Sequence, residues 1–317
     1  MIKNSEKQPQ LRYYPSAVTG FTLIELMISL VLGLLISAAV MQVYLINTRT
    51  ITVQQSASEV QDSTIFAMQA LEEHIRIANL GNPIVSINDK TDHGGVVLTN
   101  SNLGSSNETE VEYFTASTGS TDWAGPSNID GIGSDQLTIQ YKNITPNTLY
   151  DCKGGKIDAN SNDWVVERYF VRSSSSIIEG ELALACDAGR IDANGVVTSV
   201  FNGDGEIIVP AVDQFKVLLG TQTGLNELTY IPPKTYLELI DEDNQLPFIT
   251  NIKIGVIVRS NTPLIVDADK EEFNVLGKEQ TLKADDSRKK YYRRSYESTV
   301  LLRNARIMTL TGVSVSE

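Results

Sequence analysis

Glu25 is the residue whose surroundings demand an explanation. It stands at the head of an uncharged run, residues 26–46 (LMISLVLGLLISAAVMQVYLI), where an ionised carboxylate costs on the order of 3 kcal/mol unless a positive group meets it. A carboxylate so placed can grip an ammonium group. Cys152 and Cys186 are the only cysteines. In an exported domain they are expected to form one disulfide, worth roughly 3 to 4 kcal/mol in the chain-entropy model. A catalytic thiol would need a histidine nearby, and none is convincingly placed. Asp158, Asn160 and Asn162 resemble the start of an EF-hand calcium loop, but Asp163 occupies the glycine position and Tyr169 that of the bidentate glutamate. An Asx-rich turn is expected there instead, as at 192–195 and 202–205. His74 and His93 are too far apart to suggest a metal site, and His74 reads as a helix-surface or packing residue. No phosphate-binding loop and no serine elbow occurs, so neither catalytic residues nor a cofactor are expected, and the chain does not read as an enzyme. Arg288, Lys289, Lys290, Arg293 and Arg294 surround Tyr291 and Tyr292 in the one basic cluster. It is a candidate patch for an acidic protein neighbour or for nucleic acid. The balance of the whole chain, 26 Lys and Arg against 39 Asp and Glu, net −13, argues against DNA binding.

These residues need elements to hold them. The uncharged run of 21 residues is long enough, as a helix, to cross the roughly 30 Å hydrocarbon core. It is longer than the apolar part of a cleaved secretory signal. Lys3, Lys7 and Arg12 precede it against Glu6 alone, so the amino terminus is expected to stay inside and the rest of the chain outside. Beyond it, Val53, Ala57, Val60, Thr64, Ala67, Leu71 and Ala78 keep a three-four spacing. One helix is therefore expected over 21–80, capped by Gly81 and stopped by Pro83, with any bend at Gly33.

After Pro83 the sequence changes to short alternating or β-branched runs between polar turns. Strands are expected over 95–99, 109–115, 136–142, 164–171, 181–186, 196–201, 206–209, 212–219, 250–259 and 296–303. The result is an α+β class: a long helix packed on antiparallel sheet, with large loops. Residues 100–107, 117–134 and 173–176 are read as loops, and residues 267–294 give no usable pattern.

The stretch Gly20-Phe21-Thr22-Leu23-Ile24-Glu25 closely resembles the processing motif of type IV pilins and pseudopilins. The stretches LYDCKG, WVVERYFV, LALACD, VPAVDQFKVLL, IKIGVIVRS and YESTVLLRNAR, in that order, are similar to minor pilins of the PilW type. The resemblance implies cleavage between Gly20 and Phe21 by the prepilin peptidase and methylation of the new Phe21 amine. Loss of the leader would take the net charge from −13 to about −15. It further implies a leader at 1–20, a transmembrane and filament-core half-helix at 21–46, an amphipathic half at 47–80 and an exported pilin head at 81–317. Glu25 would dock on the amine of a neighbouring subunit, a pairing that offsets two desolvation costs only in register. The implied role is a non-enzymatic minor pilin that primes pilus assembly and sits at or near the tip, serving twitching motility, adhesion and DNA uptake. Its implied partners are the peptidase, other minor pilins, the major pilin, the inner-membrane assembly platform and a large tip adhesin. Its implied locations are the inner membrane before assembly and the pilus fibre afterwards. The alternatives are a minor pseudopilin of a type II secretion system and a membrane-anchored periplasmic enzyme or binding module.

Overall fold

The computed structural model describes residues 20–104, 113–118, 123, 125–174, 181–222, 227–239, 246–264, 270–284 and 290–306. Its contacts divide the chain into Met1–Ile51 and Thr52–Glu317. Helix α1 spans Leu23–Ile77. It starts where Thr22 Oγ1 accepts the Glu25 N–H at 3.3 Å, which satisfies one of the donors left open in a helix's first turn. Its second half buries Ser56, Val60, Thr64, Met68, Leu71 and Ile75. That stripe has the expected period, but Val53, Ala57 and Ala67 are only half-buried and border it.

The helix ends three residues earlier than its periodicity suggests, and Gly81 does not end it alone. Asn79 takes the left-handed conformation at φ 66° and Gly81 follows at φ 80°. Asn tolerates that region better than most side chains, and here its amide also ties the joint together. Asn79 Nδ2 donates to the Ile84 and Asn304 carbonyls at 2.9 and 2.8 Å, and its Oδ1 accepts the Gly95 N–H at 3.0 Å. Gly81 is needed for space as well, since a Cβ there would lie 2.8 Å from the Cβ of Lys142.

The strands follow in chain order as β1 (Leu137–Lys142), β2 (Leu149–Tyr150), β3 (Lys156–Ile157), β4 (Trp164–Ser173), β5 (Leu182–Ile191), β6 (Val197–Ser199) and β7 (Glu206–Val209). After these come β8 (Val212–Gln222), β9 (Leu228–Ile231), the short helix α2 (Pro233–Leu237), β10 (Phe248–Pro263), β11 (Glu272–Val275), β12 (Lys278–Thr281) and β13 (Tyr291–Leu301). One sheet runs β1-β4-β5-β6 with β7 also on β5, and a second runs β13-β10-β8-β9. Every pairing is antiparallel. Ile252, Ile254, Val256 and Val258 of β10 join Phe215, Val217 and Leu219 of β8, Leu71 and Ile75 of α1, and Leu184 of β5 in one core. The class expected from sequence, α+β with antiparallel sheet, is the one observed.

The strands are longer than their apolar runs. β10 and β8 extend past 250–259 and 212–219, and β13 begins at Tyr291 rather than at 296. Residues 95–99 form only a bridge, Val96 to Ile139, instead of a strand. Residues 109–112 of another expected strand lie outside the described residues. The stretch without a sequence pattern contains the β11–β12 hairpin, turned by Leu276 at φ 53° and Gly277 at φ 78°. Two consecutive positive φ values match the right-handed twist of a tight hairpin. Phe273 and Val275 of this hairpin meet Ile257 of β10 and Ile129 in a separate apolar cluster. Around Ile257, β10 is therefore buried on both faces.

Candidate functional site

At the amino terminus, Gly20, Phe21 and Glu25 are all exposed, as is every side chain from Phe21 to Asn47. Helix α1 is long and apolar enough to cross a membrane. Glu25 falls in the first turn of α1, where the positive end of the helix dipole favours a carboxylate. Glu25 therefore has a local role in starting the helix besides any role toward a neighbour. The spacing Thr-x-x-Glu at 22–25 is the signal for it.

At the other end of α1, a cluster forms around a residue that sequence reasoning passed over. Glu167 lies in the middle of β4 on the face that carries Val165, Tyr169 and Val171, and it is fully buried. Its carboxylate accepts from Tyr141 Oη at 2.8 Å, Tyr169 Oη at 2.7 Å, the Cys152 N–H at 3.0 Å and His74 Nδ1 at 2.9 Å. Burial alone works to lower the His74 pKa. The hydrogen bond and charge of Glu167, with Asp151 and Glu73 behind it, outweigh burial and hold the imidazole above its ordinary 6.5. Burial and the charge of Glu167 push both phenols up, so they remain donors throughout the physiological range. With four donors on one carboxylate and no nucleophile in the cluster, the arrangement fastens the last turns of α1 to β1, β4 and the cysteine loop. His74 is thus a tie between elements; an acid amid apolar strand residues was the signal, and its partner 93 positions away was not visible.

Because the folded protein holds the His74 proton more tightly than the unfolded chain does, His74 contributes stability that is full below pH 6.5 and fades as pH rises through the raised value. Urea unfolding of the detergent-solubilised full chain between pH 5.5 and 8.5 is expected to show that decline. His74→Gln is expected to flatten it, and an unchanged slope would count against the tie.

Cys152 and Cys186 form the expected disulfide, with Cα atoms 6.2 Å apart. It is flanked by two ion pairs between the same two stretches of chain. Asp151 meets Arg190 at 2.5 Å, and Lys153 meets Asp187 at 2.8 Å.

The basic cluster does not survive as one surface. Arg288 and Lys289 lie outside the described residues. Arg293 points into the protein, where its Nε donates to Asp213 at 2.6 Å with both side chains buried. Asp213 is also reached by Arg259 Nε at 3.7 Å and Asn128 Nδ2 at 2.6 Å, and Arg259 pairs in turn with Glu181 at 3.2 Å. Arg294 on the opposite face is exposed, and the carbonyl of Lys290 accepts the Leu264 N–H at 2.7 Å. The alternation of β13 explains the correction, because neighbouring strand residues point to opposite faces. Arg293→Gln is expected to cost about 2 kcal/mol, moderated by the partners Asp213 retains, and Arg294→Gln under about 0.5 kcal/mol. Denaturant midpoints of the two variants measure the difference.

Asp158, in the calcium-like stretch, pairs with Lys156 at 2.8 Å on the surface. Among the described residues no three His, Cys, Asp or Glu side chains converge as metal ligands. His93 stacks on Trp164 with ring centroids 4.4 Å apart.

Comparison with known proteins adds to this geometry. Residues 16–41 match the prokaryotic N-terminal methylation motif, which together with the apolar helix supports a membrane-anchored pilin of the kind that is assembled into a pilus. Residues 168–304 match the family described as type IV pilus-assembly protein W. Over that stretch, and at the methylation motif, the chain is similar to type IV pilus minor pilins of the PilW kind. The family it resembles is one of structural proteins that interact with other pilins and with membrane assembly machinery. A solved type IV-like pilin from Thermus thermophilus is similar at 10% identity, over 78% of this chain and 97% of that one, with a TM-score of 0.38. No curated protein matches the chain.

Proposed function

We propose that this minor pilin primes assembly of the type IV pilus in a complex with other minor pilins and enters the fibre at or near its tip, supporting twitching motility, adhesion and DNA uptake. The observation that carries the reading is the exposed apolar half-helix headed by Glu25 and preceded by Gly20 and Phe21. Such a segment has to be covered by lipid or by sister helices. Prepilin peptidase removes residues 1–20 and methylates Phe21. Residues 21–46 then serve first as a single-pass inner-membrane anchor, amino terminus inside, and later as fibre core. Residues 47–80 form the amphipathic half of the helix and residues 81–317 the exported head. The Phe21 amine of one subunit meets Glu25 of the next, and the assembly platform, the major pilin and a large tip adhesin complete the set of partners.

The intact mass of the mature protein tests the processing: the expected chain begins at a methylated Phe21, and one beginning at Met1 sinks the reading. In cells, a deletion strain is expected to lose most of its pili and its twitching. Glu25→Ala is expected to be processed normally yet fail to enter the fibre, and normal incorporation would remove the docking role.

A further inference from the structure

Past β13 the chain runs from Leu302 to Arg306 with Leu302 and Ala305 buried and Arg303 and Arg306 exposed. Its backbone is fixed at several points. The Leu302 N–H donates to the Thr250 carbonyl at 3.0 Å, that of Arg303 to Arg76 at 3.4 Å and that of Arg306 to Val85 at 2.8 Å. The Asn304 carbonyl accepts from Asn79 at 2.8 Å. Both arginines therefore stand on an anchored backbone, facing the turn after α1 and Ile144 across a groove of about 540 Å³.

The charge of this groove runs against that of the chain. None of its lining residues is acidic, although acids outnumber bases 39 to 26 overall. Elsewhere in the head Arg190, Arg259 and Arg293 are each satisfied by a carboxylate. Among the described residues, Arg303 and Arg306 have no side-chain ion pair or hydrogen bond. On the facing wall Ile144 is 53% exposed, beside Leu80, Pro83 and Val85.

We propose that this groove binds an acidic, partly apolar segment of a partner protein, whose carboxylates meet Arg303 and Arg306 while an apolar side chain covers Ile144. A guanidinium fork matches a carboxylate in two parallel hydrogen bonds, and two forks carried on a fixed backbone give register as well as attraction. Nucleic acid fits less well: two cations on a molecule of net −13 offer little counterion release against the repulsion of a long polyanion. The inference goes beyond the pilus reading and does not depend on it.

The test uses the full chain in detergent and a short fluorescent peptide of alternating Glu and Leu, with its Gln-Leu counterpart as control. Anisotropy is expected to show the acidic peptide binding at least about ten-fold more tightly than the neutral one. The double variant R303Q/R306Q is expected to lose that margin with an unchanged unfolding midpoint, while Arg294→Gln keeps it. Should the double variant fold poorly, Ile144→Asp on the opposite wall is expected to weaken the acidic peptide by a similar factor. Equal binding of the two peptides, or full binding by both groove variants, would overturn the proposal. So would a labelled DNA duplex that binds more tightly than the peptide and is lost with the same arginines.

Discussion

Glu167→Ala is expected to lower the stability of the full chain by about 4 kcal/mol, enough to populate unfolded or partly opened head at physiological temperature. The substitution removes the single acceptor shared by Tyr141, Tyr169, His74 and the Cys152 N–H. Each buried donor left without a partner costs roughly 1 to 3 kcal/mol, less whatever water or rearrangement recovers. His74, 21% exposed, recovers most; Tyr169 and Tyr141, fully buried, recover least. Glu167→Gln keeps the shape but puts an NH2 where donors converge, so it is expected to cost more than half as much. If one hub unites these groups, Glu167→Ala combined with Tyr169→Phe costs less than the two single changes added together. Strict additivity in urea unfolding would show that the contacts act separately.

Replacing Cys152 and Cys186 by serine is expected to cost about 3 to 4 kcal/mol, the chain-entropy value for a bridge across 34 positions. In a domain of this size that is a drop of roughly 10 °C in melting temperature. The native structure is expected to persist, because Asp151–Arg190 and Lys153–Asp187 join the same two stretches from either side of the bridge. The loss therefore lies mainly in the freedom given to the unfolded chain. Reduction of the unaltered protein should reproduce the shift and leave its circular dichroism at low temperature unchanged. Collapse of the folded spectrum on reduction would mean that the flanking ion pairs do not hold the two stretches together.

What sequence revealed depended on how local the cause was. The helix was legible because its charge-free run, its three-four spacing and the Gly20–Glu25 motif all lie within neighbouring residues. Strands β1, β4 and β7 were legible for the same reason. Hairpin β11–β12 was not: its strands are four residues each, Glu272, Asn274, Lys278 and Glu279 are exposed, and a leucine occupies a turn position that more often holds Asn or Gly. Arg293 looked like one cation among five because its partner Asp213 is 80 residues away. Glu167 and His74 are separated further still, and only the fold brings them together. The cysteines were the exception among distant pairs, since there were only two to join.

Asn79 and His74 also have a mechanical meaning. An axial pull on α1 reaches the sheets through Glu167 on one side and through Asn304, just past β13, on the other. A helix held by its apolar stripe alone could slide one turn and find a similar contact, because oily surfaces are forgiving about position. Directed bonds at two points near its end allow no such slip, so tension is met by abrupt rupture at a defined force instead of gradual creep.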